Sequence, residues 1–296
     1  EPAPPAATQL ETLMSAAPPQ QIPRRVPLPV LRPRLDLCLA TGVTIDSASR
    51  ILIVPDRGKV AQSLAKRLRG RKAAVQVLES EDAVRLTQQI AQFAEQGSVQ
   101  GVYFLPALDP EPELPIMDAD SWRKEMDRRA YALYEALRAL PNEPFLVCAT
   151  RMGGLHGMGA DGAVNPLGGV VSGFAKSLAM ERPKSLVKVV DFEHSADPAG
   201  VAAHLVAETQ FDPGVVEVGW REDLRFGFTL AEAPASGMEF NLTRETVYLV
   251  SGGSGGITAP VVLDLASSVG GTFYLLSRTP LPAADDPDLQ LLRADR

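Results

Sequence analysis

The residues best placed to do chemistry are Ser251-Gly252-Gly253-Ser254-Gly255-Gly256-Ile257-Thr258, directly after the apolar run 246–250. A strand that feeds a glycine-rich loop and then a helix is the context in which main-chain amides bind a dinucleotide pyrophosphate. Without side chains the backbone can approach the phosphates, while free N–H groups and the positive end of the helix dipole face the negative charge. Thr258 stands where a third small residue, usually glycine, lets the helix pack closely on the strand, so a branched side chain is expected at that crossover. The next apolar run, 272–276, ends in Ser277-Arg278, where such folds meet the adenosine ribose. A carboxylate there suits the 2′-hydroxyl of NAD, whereas the planar fork of Arg278 suits a 2′-phosphate. The candidate cofactor-binding residues are Gly252, Gly253, Ser254, Gly255, Gly256, Ile257, Ser277 and Arg278, and the expected cofactor is NADPH.

Other groups offer less. His156, His194 and His204 have neither His-x-x-x-His spacing nor a Cys or carboxylate cluster, so they are read as surface or loop residues and no metal is expected. Gly153-Gly154-Leu155-His156-Gly157-Met158-Gly159 also follows a strand-like run but lacks the Lys-Ser/Thr of a phosphate loop. Asp109, Glu111 and Glu113 lie in a proline-rich connection without regular spacing, which favours solvated loop charges over an acid/base pair.

The elements that must position these groups alternate along the chain. Strands are expected at 51–54, 73–78, 101–105, 145–150, 186–191 and 215–218, with helices at 59–68, 80–96, 120–140, 166–181 and 198–208. Such alternation implies right-handed crossovers and a mostly parallel, doubly wound Rossmann-like sheet covered on both faces, an α/β fold. Prolines alternating with Val, Leu and Arg across 22–37 fit an extended edge segment only. Residues 1–21, rich in Pro, Ala and Gln, read as an interdomain linker, 22–235 as a degenerate Rossmann-like unit and 240–296 as the first β-α-β of a second. Fewer than sixty residues with two strands and one full helix fall short of a doubly wound core, so the second unit is expected to be incomplete.

The segments 246–259, 275–278 and Ser172-Gly173-Phe174-Ala175-Lys176-Ser177-Leu178-Ala179-Met180-Glu181-Arg182-Pro183 resemble the ketoreductase domains of modular polyketide synthases. The Gly-Gly-Ile-Thr-Ala form of the loop is closest to the polyunsaturated-fatty-acid synthase type. These domains pair two short-chain-dehydrogenase-like halves, a structural one that has lost catalysis and a catalytic one that holds NADPH. The resemblance implies hydride transfer to the β-keto carbon of an acyl chain on an acyl carrier protein, with neighbouring synthase domains as further partners. Working members carry Tyr-x-x-x-Lys ahead of the Gly-x-x-Lys-Ser-Leu-Ala stretch. Anchored on Gly173 and Lys176-Ser177-Leu178-Ala179, those two places hold Val164 and Gly168. Four residues beyond Tyr103, Tyr131, Tyr134, Tyr248 and Tyr274 stand Ala107, Glu135, Arg138, Gly252 and Arg278, so the chain has no Tyr-x-x-x-Lys. No catalytic residue is assigned, and the 296-residue chain alone is expected to be inactive.

Composition narrows the alternatives. With 45% hydrophobic residues, 22% charged and a net charge of −7, the chain shows no basic footprint for nucleic acid or anionic lipid and no long block of Lys or Arg, so neither partner is expected. Cys38 and Cys148 stand alone, and no apolar run reaches the ~18 residues of a membrane span. A cytoplasmic setting is expected. The rival reading is a non-catalytic scaffold that docks synthase domains without binding nucleotide; a third is a free-standing dehydrogenase or epimerase.

Overall fold

The computed structural model describes residues 23–79, 83–233 and 241–278, together with 283 and 285. The linker expected at 1–21 and the segment 234–240 lie outside the described residues. The chain divides into two compact units, Glu1–Pro234 and Ala235–Arg296.

In the first unit the short apolar runs become strands because they are buried on both faces. β1 (Arg25–Leu31), β2 (Arg50–Val54), β3 (Ala74–Val77), β4 (Gly101–Phe104), β5 (Phe145–Thr150), β6 (Val187–Phe192), β7 (Glu217–Arg221) and β8 (Leu224–Glu232) form one sheet in the order β1-β8-β7-β6-β5-β4-β2-β3. From β3 to β7 every pairing is parallel. Alternate side chains then feed two cores. Leu52, Val54, Val102, Phe104, Leu146 and Cys148 pack with helices α2 (Ala83–Glu95), α4 (Ala132–Arg138) and α5 (Gly168–Glu181). On the opposite face Ile51, Ile53, Tyr103, Val147 and Phe192 pack with α1 (Val60–Gly70) and α6 (Pro198–Gln210). Each fully buried Leu or Ile contributes about 1.5–3 kcal/mol relative to an exposed one. α4 continues from α3 (Ala119–Met126) through a π turn at Asp127–Tyr131, so the helix expected over 120–140 has an interrupted ladder.

The sheet is parallel in its body and antiparallel at one end, which sequence spacing did not anticipate. The strand expected at 215–218 begins later and turns back at Glu222-Asp223 into β8. Both turn residues have positive φ, 51° and 59°, the geometry of a two-residue hairpin without its usual Asn or Gly. β1 is the edge strand, as its prolines require. Arg32 donates its amide to the Arg225 carbonyl and Ala233 donates to that of Arg24, so the even-numbered residues face β8. Pro27 and Pro29 therefore fall at outward-facing positions, where the missing N–H breaks no ladder bond.

A buried charge network fixes this end. Lys188 Nζ donates to Glu208 (2.9 Å) and to the Phe211 carbonyl (2.7 Å), while Arg225 and Trp220 donate to the same Glu208 carboxylate. Arg225 also meets Asp212, which accepts two hydrogen bonds from Arg32 at 3.0 and 2.8 Å. Burial alone would raise the Asp212 carboxyl, but the bonds and charges of Arg32 and Arg225 hold it below the usual carboxylate range.

The second unit contains β9 (Val247–Ser251), α7 (Thr258–Ser268) and β10 (Thr272–Leu276), with β9 and β10 parallel. Tyr248 stacks on Phe273 at 4.4 Å, whereas no residue of α7 is buried and Val247, Leu249 and Tyr274 stay exposed.

Candidate functional site

β9 ends at Ser251, and the Gly252 amide donates to the Leu276 carbonyl at 2.7 Å, tying the start of the loop to the end of β10. Gly252 has φ +70°, a left-handed conformation that favours glycine. At Gly253 the reason is proximity: a Cβ would come within 2.8 Å of the Leu275 side chain. Gly255 donates to the Gly252 carbonyl and its own carbonyl accepts from Ala259, which folds the loop into the first turn of α7. Thr258 opens that helix half-buried, so its branched side chain is accommodated at the crossover.

Parallel pairing of β9 and β10 brings the two sequence-distant parts together. The Ser254 and Ser277 hydroxyls hydrogen-bond at 2.5 Å across the mouth of the loop. Ser251, Gly252, Ser254, Gly255, Leu276, Ser277 and Arg278 line one cleft of about 500 Å³. Five of the eight expected residues line it; Gly253 lies buried beneath, Gly256 is exposed outside the lining, and Ile257 points outward at 86% exposure. Ser251 and Leu276 were not singled out in the sequence because their part is only to frame the opening. Among the described residues no side chain caps α7 at its N-terminus. These features fit a dinucleotide: the chain leaves the helix start open to an anion and sets a guanidinium at the end of the neighbouring strand.

The equivalent crevice of the first unit, between β2 and β4 where the chain order reverses, is arranged differently. Asp56 accepts from the Val60 amide at 3.2 Å and the Ala61 amide at 2.8 Å, occupying the start of α1 with a carboxylate. Asp109 accepts twice from the Arg57 amide, at 2.9 and 3.0 Å, and pairs with Arg128. Glu111 accepts from the Leu167 and Gly168 amides at the start of α5. Fully buried Arg129 lies against Glu111 at 3.5 Å, Glu125 and the Asp109 carbonyl. The reading of Asp109 and Glu111 as solvated loop charges is thus corrected: both side chains are buried, at 4% and 2% exposure. Burial pushes the Glu111 carboxyl up in spite of its amide donors and Arg129. The proline-rich connection hid this, because its acidic residues act through tertiary partners rather than through periodicity.

His156 also departs from expectation. It is buried at φ +50°, donates its amide to Asp191 at 2.9 Å, and places its ring nitrogens 3.3 Å from Ser172 Oγ and 3.0 Å from the Val218 carbonyl. Asp191 also accepts from Thr150 and the Met152 amide, so the glycine-rich segment after β5 is pinned by a buried carboxylate. His204 stacks on Trp220 at 3.7 Å and His194 is exposed. Val164 is exposed in the loop, while Gly168 begins α5 against Met152, where a Cβ would sit 3.0 Å from its Cγ. Among the described residues no group of three or more His, Cys, Asp or Glu is arranged for a metal, and no helix is long and apolar enough to cross a membrane.

Neither a family model nor a curated protein matches the chain. Solved structures do. The N-terminal ketoreductase of the macrolactin assembly line aligns at TM-score 0.64 and 14% identity, over 92% of this chain and 56% of that one. A multidomain structure with adenylation, ketoreductase and pseudo-Asub domains from a keto acid-selecting NRPS module aligns at 0.67 and 16%, over 93% and 25%. The ketoreductase from the first module of phoslactomycin biosynthesis in Streptomyces sp. HK803 aligns at 0.54 and 18%, over 91% and 52%. The chain spans about half the length of these ketoreductases (56% and 52%). At such identities the likeness is one of fold: this chain has the fold of the ketoreductase domains of modular synthases, over roughly half their length.

Proposed function

We propose that this chain is the structural half and the cofactor-loop portion of an NADPH-dependent ketoreductase that reduces β-ketoacyl groups carried on an acyl carrier protein within a multidomain synthase. The observation that carries the reading is the cleft lined by Gly252, Ser254, Gly255 and Ser277-Arg278, ahead of the uncapped start of α7. Gly252, Gly253, Ser254, Gly255, Gly256 and Ile257 would hold the pyrophosphate, and Ser277 with Arg278 the ribose 2′-phosphate. NADPH, when bound, supplies the hydride. The loop orients it by main-chain donors, and the Ser254–Ser277 hydrogen bond keeps loop and strand end in one register. The residues that protonate the carbonyl oxygen are not in this chain, since Tyr-x-x-x-Lys is absent and Gly168 has no room for a side chain without moving Met152.

The test measures NADPH oxidation with an N-acetylcysteamine-linked β-ketoacyl substrate, comparing this chain with a longer natural version. The longer protein is expected to turn over and this chain to stay at background. General acid catalysis is worth about a hundred- to ten-thousandfold, so the contrast is large. Turnover by the 296-residue chain would reveal a proton donor outside this reading. Absence of any NADPH binding by the longer version would favour a scaffold.

A further inference from the structure

The chain carries seven more acidic than basic charges, yet its positive charge is not spread evenly. Between residues 59 and 72 stand Lys59, Lys66, Arg67, Arg69, Arg71 and Lys72, with no Asp or Glu among them. The net value that argued against anionic partners averages this segment away. All six side chains are exposed, because Val60, Ala61, Leu64, Ala65 and Leu68 take the buried face of α1. Lys59, Gln62, Lys66 and Arg69 follow at spacings of three and four residues, one stripe of about 15 Å along the helix. Arg69 is held by a hydrogen bond to the Val75 carbonyl, and Arg71 by one to Gln210. A shallow cavity of about 620 Å³ lies beside the stripe, lined by Gln62, Lys66, Arg69, Gln76, Val77 and the lone carboxylate Glu79.

Among the described residues none of the six cations forms an ion pair. One or two of them suffice to complement the negative end of the α1 dipole; the others repel one another at i,i+3 and i,i+4. An acid-rich protein that leaves such a face unneutralised has a surface suited to a negatively charged partner. The face carries no aromatic side chain on which bases could stack and no exposed apolar residue that could enter a bilayer. A straight, three-turn stripe bearing three cations, Lys59, Lys66 and Arg69, with Arg67, Arg71 and Lys72 near its end, matches instead a carboxylate-rich face on a protein.

We propose that the exposed face of α1 docks an acidic protein surface, and that the acyl carrier protein is the partner which uses it. The choice of carrier protein rests on the function proposed above; the acidic docking face does not. The experiment titrates a fluorescently labelled apo acyl carrier protein into the full chain. Binding is expected to weaken about tenfold or more on Lys66→Glu/Arg69→Glu, and on raising ionic strength from about 0.05 to about 0.3 M. Lys66→Gln/Arg69→Gln, which adds no repulsion, is expected to give a smaller loss in the same direction. The control Lys124→Glu/Lys184→Glu, on other exposed surface, should change affinity less than about twofold. Unfolding curves verify that each variant is folded. Binding that ignores the α1 changes, that responds equally to the control, or that is matched by a DNA duplex or a phosphatidylserine vesicle overturns the proposal. Turnover of the soluble N-acetylcysteamine substrate by the longer protein needs no docking, so its failure sinks the ketoreductase reading while leaving carrier binding to be judged separately.

Discussion

Two β-loop-α turns of this chain begin alike. In the first unit β2 runs through Pro55-Asp56-Arg57-Gly58 into α1; in the second β9 runs through Gly252-Gly253-Ser254-Gly255-Gly256 into α7. Both end at a helix start whose amides and dipole attract negative charge. The first turn satisfies that attraction from within, with Asp56 on the amides of α1 and Asp109 on the loop. The same solution recurs at α3 with Asp118, at α5 with Glu111 and at α6 with Asp197. Of these five helix starts, only α7 has no capping side chain among the described residues. On the proposed reading, a unit that binds no nucleotide can stabilise itself with carboxylates that would repel one, whereas a nucleotide site must leave its helix start uncapped.

The largest effect that would break this comparison is expected at Arg129. Its guanidinium is fully buried among Glu111, Glu125 and the Asp109 carbonyl, so Arg129→Met leaves buried carboxylates without their counter-charge. Unfolding in urea should show a loss of about 3–5 kcal/mol. A loss within ordinary surface values would mean that the self-capped crevice contributes little to the first unit.

On the other side of the comparison, Arg278→Asp should erase or reverse a preference for NADPH over NADH in the longer protein. A charge-assisted contact with phosphate supports about 1.5–3 kcal/mol, or about ten- to a hundredfold in affinity. Equal affinity for both cofactors before the change would remove Arg278 from the site.

Gly253 and Gly256 sharpen the picture within the loop. A Cβ at Gly253 would press on Leu275 at 2.8 Å, while one at Gly256 meets nothing within 4 Å. Thermal unfolding of the longer protein should therefore report about 1–3 kcal/mol lost for Gly253→Ala and little for Gly256→Ala. Equal losses would indicate a different loop path.

Removal of one cap is a smaller change. Asp56→Ala should cost the first unit about 0.5–2 kcal/mol by denaturant unfolding, and titration should show no gain in nucleotide binding, since Asp109 and Glu111 remain.

The smallest effect is one of pH. The Asp212 carboxyl is held below its ordinary value by Arg32 and Arg225, so the unfolded chain takes up its proton first as the solution is acidified. Its contribution is fully present above about pH 4 and is lost as pH falls toward the lower folded value. Asp212→Asn should flatten the stability profile in that acid window and leave the profile near neutrality parallel to that of the parent chain.

By itself the sequence determined the alternation of strands and helices, the proline-blocked edge and the strand, glycine loop and helix of the second unit. These features depend on local rules: residues buried on both faces make continuous apolar runs, proline deletes one donor at a known place, and close approach of main chain to main chain demands glycine. Tertiary structure alone decided what the charged side chains do. Asp109 and Glu111 sit in a segment with no periodicity, and their partners Arg57, Arg128, Leu167 and Gly168 are brought to them by crossovers of about 20 to 60 residues. The β7–β8 hairpin escaped notice because Glu222 and Asp223 adopt left-handed geometry without the usual turn residues, held there by the pairing of the strands on either side. The meeting of Ser254 with Ser277, 23 residues apart, exists only because β9 and β10 pair in parallel and bring the glycine loop and the end of the next strand to the same edge.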